Sequence, residues 1–322
     1  MREGLSDDLT SLVGRYVEAG IAWSRLQVVR RGAASGGLVT SILIATLRAG
    51  EIDGALVATC KGIKPQTMIA RTEDELVKAS GSIYVLFPHN AGLRLLLKAE
   101  GRYAVVGLPC HLRGLAKMAS AYPELRDKVA LKIGLFCKHA LSLRGLLFLL
   151  KSVGVNTNRI ESIRFRAKVL GTTGLYVKTR DEEVFIPLSK YWPVLSLLST
   201  PKACLDCPDF GNERADVSVG DAWGLRGADS EGLSLYLTRS EEGGKTLKLA
   251  IDMGLIEAHV ISRELLRHLL RYQGIMPSAK KRKGMIPKLY LLALRMGPKV
   301  FGHSFSSYFL IKSFIKPLEV ER

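Results

Sequence analysis

From residue 26 into the 150s, short apolar runs rich in β-branched residues alternate with longer stretches whose apolar positions recur every three or four residues. That alternation marks βαβ units and a sheet of parallel strands with helices on its faces. It predicts strands at Leu26–Val29, Ile52–Thr59, Ala104–Val106 and Val129–Leu135, and helices over Ser41–Ala49, His111–Met118 and Leu141–Val153. Ahead of this region Leu9, Leu12, Val13, Tyr16 and Val17 share one helical face, which Gly14 interrupts.

After residue 156 the texture changes. Ile160–Arg166, Gly174–Lys178 and Glu183–Leu188 read as strands joined by turn residues, the pattern of antiparallel pairing. Strands are then expected at Asp216–Val219, Leu233–Leu237 and Ile256–Val260, with helices at Glu241–Met253 and Arg263–Arg271. The expected fold is α/β: a mainly parallel sheet with flanking helices, plus a smaller α+β lobe. Its expected organisation is an N-terminal helical segment (1–25), a central region (26–278) carrying a β-rich lobe near 156–200, and a basic amphipathic C-terminal tail (279–322) suited to docking on a partner. No internal repeat or low-complexity tract is present.

With 322 residues, 47% of them hydrophobic, and a mean hydropathy of +0.13, the chain can bury a large core and has apolar surface left for a partner or cofactor to cover. A formal charge of +17 admits anionic partners: nucleic acid, a lipid surface, acidic proteins or acidic cofactors. The dense basic run, Lys280–Lys283 with Lys288 nearby, has no interleaved aromatic residues on which bases would stack, so no nucleic-acid partner is expected. The first thirty residues include Asp7, Asp8 and Glu18 and lack the apolar centre of a secretory signal. Charges also interrupt every stretch approaching the roughly 20 apolar residues of a membrane span. A cytoplasmic location is expected, with peripheral membrane association left open.

The five cysteines then matter. In a reducing compartment they argue against a disulfide scaffold and toward metal, cluster or redox chemistry wherever they converge. Cys204 and Cys207, in KACLDCPDF, are by themselves compatible with a disulfide, half a zinc site, half an iron–sulfur site or ordinary thiols. Cys110 ends YAVVGLPC and Cys137 ends ALKIGLFC, each past a predicted strand and before a helix, at the edge where open parallel sheets hold ligands. Together the four could supply the thiolates of an iron–sulfur cluster or of tetrahedral zinc. One local pair with two single cysteines, rather than two local pairs, favours the cluster. Cys60 lacks such a partner and is expected to be buried. His89, His111, His139, His259, His268 and His303 show no metal-ligand spacing.

In RRGAASGGLVTSILIATLRAG, Ser35, Gly36 and Gly37 precede a helix whose first turn holds Thr40 and Ser41. Such a start can bring backbone N–H groups and partial positive charge to a phosphate, or it can be a tight turn. It matches neither the dinucleotide fingerprint nor the P-loop. KASGSIYVLFP offers Ser80, Gly81, Ser82 and Tyr84 for hydrogen bonds to a cofactor, or forms a plain loop. In ADVSVGDAWG, Asp221 suits a polar cofactor edge and Trp223 a flat ring, and a turn with a core tryptophan explains them equally well.

SGGLVTSILIATLRAGEIDGALV, GSIYV, VVGLPCHLRGL, KIGLFC, KACLDCPDF and ADVSVGDAWG occur in this order over roughly residues 30–225. In these motifs the sequence resembles the beta-subunit family of coenzyme F420 hydrogenases and dehydrogenases. The resemblance implies an FAD-containing flavoprotein with one 4Fe-4S cluster, passing electrons between an iron–sulfur carrier and coenzyme F420; other relatives reduce chlorophyll-type pigments. It implies Cys110, Cys137, Cys204 and Cys207 as cluster ligands, Ser35, Gly36 and Gly37 at the flavin, and Ser82 and Tyr84 as further contacts. Implied partners are an electron-carrier or a hydrogenase or dehydrogenase subunit, together with coenzyme F420. Many relatives carry a ferredoxin-like region with clustered cysteines at their N-terminus, whereas here none precedes Cys60. Electron delivery by a separate subunit, or a different partner and substrate, is therefore expected. The alternatives are an FAD and iron–sulfur reductase of another organic substrate and, in a different class, a zinc-stabilised basic binding module.

Overall fold

The computed structural model describes residues 8–169, 171–225 and 232–273. The expected tail, 279–322, lies outside the described residues. The strands are β1 (Glu18–Ser24), β2 (Gly54–Lys61), β3 (Lys64–Ala70), β4 (Tyr103–Gly107), β5 (Val129–Leu135), β6 (Ile160–Val169), β7 (Thr172–Thr179), β8 (Glu183–Pro187), β9 (Val217–Asp221), β10 (Ser234–Thr238) and β11 (Ile256–Val260).

Eight of them form one sheet in the order β11-β1-β10-β9-β5-β4-β2-β3. At its centre β9, β5, β4 and β2 are mutually parallel, and the pairings outside them are antiparallel. Five of the eight strands (β1, β2, β4, β5 and β9) therefore run in one direction. The α/β class and the mainly parallel sheet are as expected. β6, β7 and β8 form a separate antiparallel sheet, which is the smaller lobe.

The period of two along each strand sorts side chains to the two faces. Ala55, Val57, Ala104, Ile133, Val217 and Tyr236 pack with Ile42 and Ala45 of helix Leu38–Arg48 and with Leu247 and Ala250 of helix Glu241–Asp252. Their neighbours Leu56, Tyr103 and Val105 pack on the other face against Leu93, Leu96, Leu112, Leu115 and Leu125. Toward the β1 end of the sheet that face is filled by Leu235 and Leu237 with Leu266, Leu269 and Leu270 of helix Arg263–Tyr272. Burying each of these leucines contributes about 1.5–3 kcal/mol. The smaller lobe has its own core: Phe165, Leu175, Val177, Ile186 and Tyr191 pack with Leu146, Leu149 and Leu150.

Two expectations fail near the N-terminus. Leu26–Val29 is not a strand: residues Gln27–Gly32 form a helix that buries Val29 and leaves Val28 58% exposed. The strand lies earlier, in EAGIAWS, where the fully or nearly buried positions include the small Ala19 and Ala22 and so give little hydropathy signal. The first helix is correspondingly short, Asp8–Val13, and Val17 outside it is 75% exposed. No helix among the described residues is long and apolar enough to cross a membrane.

Candidate functional site

β4 and β5 are adjacent and parallel, so the segments leaving their carboxyl ends leave side by side. The first carries Cys110 into the opening turn of helix Pro109–Ala121, and the second carries Cys137 two residues beyond Leu135. The Cys137 N–H donates to the Phe210 carbonyl at 3.1 Å, which brings in the loop bearing Cys204 and Cys207. The Cys207 thiol in turn faces the Asp209 carbonyl at 3.7 Å.

Asn212 fixes this loop to the sheet. Its amide Nδ2 donates to the carbonyl of Gly107 at 2.8 Å and to that of Leu135 at 3.3 Å, the last residues of β4 and β5. Its backbone N–H donates to Asp209 Oδ1 at 2.7 Å. Asn212 is fully buried, and its φ of 61° makes it the one non-glycine residue with positive φ among the described residues. Arg239 supports the same loop from behind, donating to the carbonyls of Gly211 and Val13 at 2.7 and 2.6 Å. Sequence reading did not find either residue, because each acts across a large separation in the chain.

Cys110 lies within electrostatic reach of Cys204 and Cys207, and Cys137 within reach of all three. Burial, followed by the charges of Cys207 and Cys204, raises the pKa of Cys110. Burial, followed by Cys110, Cys204, Cys207 and Asp209, pushes Cys137 up to about 12. Burial and this repulsion both disfavour the thiolate form at Cys110 and Cys137. Among the described residues no group of three or more His, Cys, Asp or Glu side chains closes around a single metal ion. Cys60 stands apart on β2, packed against the core of the smaller lobe, with its thiol pushed up to about 11 by burial alone. It is half-buried there, short of the full burial expected.

Beside the thiols lies a cavity of about 420 Å³ between the main sheet and the smaller lobe. Ser35, Gly37, Ser82, Tyr84 and Asp221 line it, together with Cys137, Trp192 and Trp223. Gly36 does not. A Cβ on Gly36 would stand 2.5 Å from the Ala22 carbonyl and 2.7 Å from the Ser234 nitrogen, so this glycine lets the loop lie flat on the sheet. Gly37, at φ 81°, caps helix Leu38–Arg48 at the cavity wall. Ser35 reaches the cavity, but its hydroxyl donates to the Leu233 carbonyl at 2.6 Å. Cys110, Cys204 and Cys207 are not part of the lining, so Cys137 is the cysteine common to the thiol group and the cavity.

Asp221 is held by a residue that sequence reading missed. Arg166, on β6 of the smaller lobe, directs Nη1 to both Asp221 carboxylate oxygens at 2.8 Å. Burial acts to lower the Arg166 pKa, but Asp221 and Tyr84 more than offset it and hold the guanidinium charged. Its central carbon lies 5.6 Å from the Trp223 ring centre.

Two histidines close the cavity near β4. His89 Nε2–H donates to the Val106 carbonyl at 2.8 Å, and Nδ1 accepts from the Thr67 hydroxyl at 3.3 Å. Burial holds His89 below its ordinary pKa, and the His111 ring, 4.7 Å away, is driven to about 3 by burial and then by His89. With folded-state values depressed, the unfolded chain binds more protons below about pH 6.5; this contribution to stability is complete above that pH and is lost as pH falls. Melting temperature should therefore drop between pH 7 and pH 5, and His89→Gln should flatten the drop. An unchanged slope in thermal unfolding would show that His89 is not held neutral.

Residues 20–94 match the family described as the N-terminal part of the coenzyme F420 hydrogenase/dehydrogenase beta subunit, and residues 100–264 match its C-terminal part. The chain is 29% identical over 259 residues to coenzyme F420 hydrogenase subunit beta of Methanothermobacter thermautotrophicus, a match covering 78% of this chain and 86% of that one. It is 27% identical over 232 residues to the coenzyme F420-dependent sulfite reductase of Methanocaldococcus jannaschii, covering 68% of this chain but 34% of that larger protein. Its fold superimposes with a TM-score of 0.62 on a chain of the F420-reducing [NiFe] hydrogenase complex from Methanosarcina barkeri, at 25% identity, covering 81% of this chain and 89% of the other. The order of motifs, the strand ends that carry the cysteines and these matches agree: the chain belongs to the coenzyme F420 hydrogenase/dehydrogenase beta subunit family.

Proposed function

We propose that this protein is an iron–sulfur flavoprotein subunit that passes electrons between an iron–sulfur carrier and coenzyme F420 through FAD. The observation that carries the reading is the position of Cys137, which belongs to the thiol group and also to the wall of the cavity. Cys110, Cys137, Cys204 and Cys207 hold the cluster, and the cavity holds the flavin. When bound, the pair converts between two-electron and one-electron transfer.

The residues present suit both groups. The thiol set matches the soft ligands that iron–sulfur clusters require. The cavity offers aromatic walls in Tyr84, Trp192 and Trp223 for a flat ring and a helix start at Gly37 for a phosphate. Phe136 and Phe210, whose ring centres lie 5.0 Å apart, flank Cys137 at the cavity wall. Asn212 fixes where that wall stands. The net positive charge suits an acidic redox partner and an anionic substrate. The named relatives, a hydrogenase beta subunit and an F420-dependent reductase, support coenzyme F420 as the two-electron molecule and a larger oxidoreductase complex as the setting.

The test is anaerobic turnover by full-length protein offered reduced coenzyme F420 and a one-electron viologen acceptor. The expected result is oxidation of the deazaflavin with about two viologen molecules reduced for each, and no comparable rate with NADH. Turnover with NADH and none with the deazaflavin would assign the cavity to another substrate.

A further inference from the structure

Helix Leu38–Arg48 opens at the cavity with donors that the protein leaves unanswered. Gly37 stands at its N-cap without a side chain, no other side chain caps it, and its first turn holds no acidic residue. Ser35, just ahead, spends its hydroxyl on the Leu233 carbonyl. Ser41 N–H is answered by the Gly37 carbonyl at 3.2 Å, which leaves over the N–H groups of Leu38, Val39 and Thr40. Thr40 adds a hydroxyl. It is 8% exposed, and among the described residues its Oγ1 has no hydrogen-bond partner, whereas neighbouring Ser41 donates to Ser24 Oγ at 2.7 Å. Oγ1 is not one of the unpartnered atoms sealed inside the protein, and Thr40 lines the cavity, so the surface that Oγ1 keeps is cavity surface. The carboxylate in the described lining, Asp221, is already held by Arg166 and is not available to these donors.

We infer that the Thr40 hydroxyl, with the N–H groups of Leu38, Val39 and Thr40, binds a phosphate group of a ligand in this cavity, and that Thr40 is the side chain that selects for it. Polar groups nine-tenths buried are matched in folded proteins, so an open hydroxyl beside three free N–H groups calls for an acceptor that arrives with a ligand. The positive end of the helix dipole favours a negative one. Phosphate meets the arrangement better than a carboxylate does, because its oxygens surround a tetrahedral centre and can meet donors along the helix axis and from the side together. A threonine serving only the helix would turn its hydroxyl back onto a backbone carbonyl of the preceding turn, as Thr46 does to Ile42 at 3.0 Å. This rests on the reading of the cavity as the place where flavin and deazaflavin meet. Both molecules carry phosphate, and the experiment separates them.

The experiment compares affinities of full-length, anaerobically purified protein for FAD and for riboflavin, which has the same ring and no phosphate, and the KM for coenzyme F420 at saturating FAD. Thr40→Val keeps the shape of the side chain and removes the hydroxyl. It should weaken FAD binding by at least about tenfold, the worth of one hydrogen bond to a charged group, and leave riboflavin binding within about twofold of wild type. Thr40→Ser should restore FAD binding, and Thr40→Ala repeats the comparison if the valine variant does not fold. Unchanged FAD binding with a KM for coenzyme F420 raised about tenfold supports the phosphate site and gives it to the deazaflavin instead. Equal losses for FAD and riboflavin, or no change in any of the three quantities, overturn the assignment of Thr40 while leaving the flavin site intact. A wild-type protein that binds neither flavin nor deazaflavin overturns the functional reading itself, before any substitution is compared.

Discussion

Replacing Cys137 with alanine should reduce bound iron and acid-labile sulfide to less than about a tenth of wild type, because one of four thiolates cannot be lost without opening the core they share. Cys60→Ala should keep both at wild-type levels and cost only about 1 kcal/mol in packing. The contrast comes from position. Cys137 leaves β5 within electrostatic reach of Cys110, Cys204 and Cys207, while Cys60 packs against the core of the smaller lobe. Cys137 also lines the cavity, so its replacement should alter the visible absorption of any flavin that stays bound. Iron and sulfide assays with an absorption spectrum check the pair of variants; equal iron in both would remove Cys137 from the ligand set.

Asn212→Ala should destabilise the metal-free protein by about 3 kcal/mol and, in protein purified anaerobically, lower its iron content. The substitution strips the Gly107 and Leu135 carbonyls of their Nδ2 donor, at about 1–3 kcal/mol for buried groups left unpaired. It also places alanine in a left-handed conformation, which costs about 1 kcal/mol. Asn212→Gly separates the two effects by restoring the conformational part alone, so it should recover about 1 kcal/mol of stability but none of the iron. Asn212→Asp should be worse than alanine, since it turns a carboxylate oxygen toward the two carbonyls. Urea unfolding of the three variants gives the order; iron retained by Asn212→Ala would show that the loop holds its place without this staple.

The main sheet was largely legible because its central strands bury both faces and its helices keep a regular apolar spacing. β5 and β11 fall where the pattern puts them, and the helices after them shift by a residue or two. β1 was hidden because close packing against its neighbours is achieved with alanine and glycine rather than large residues. β3 was missed for a different reason: as an edge strand it buries Ala70 alone, so KPQTMIA carries little apolar alternation. Helix Leu188–Ser199 contains Pro193, which reads as a helix breaker.

At the site, the placement of Cys110 and Cys137 just past β4 and β5 could be read because strand ends are local features. The dual position of Cys137, in the thiol group and in the cavity wall, is a product of tertiary packing. Arg166 left no sequence signal, since its meaning depends on a contact with Asp221 between two sheets, 55 residues away. Asp221 itself was singled out for a polar cofactor edge, but its two oxygens receive Arg166. Gly36 was grouped with Gly37 by adjacency, yet the two serve different ends: one lies against backbone and the other opens the helix at the cavity.

Iron, acid-labile sulfide and flavin measured per chain in full-length protein purified without oxygen address the shared wall at Cys137 most directly. The expected composition is about four iron, about four sulfide and about one FAD. Zinc in place of iron, with no flavin, would contradict it.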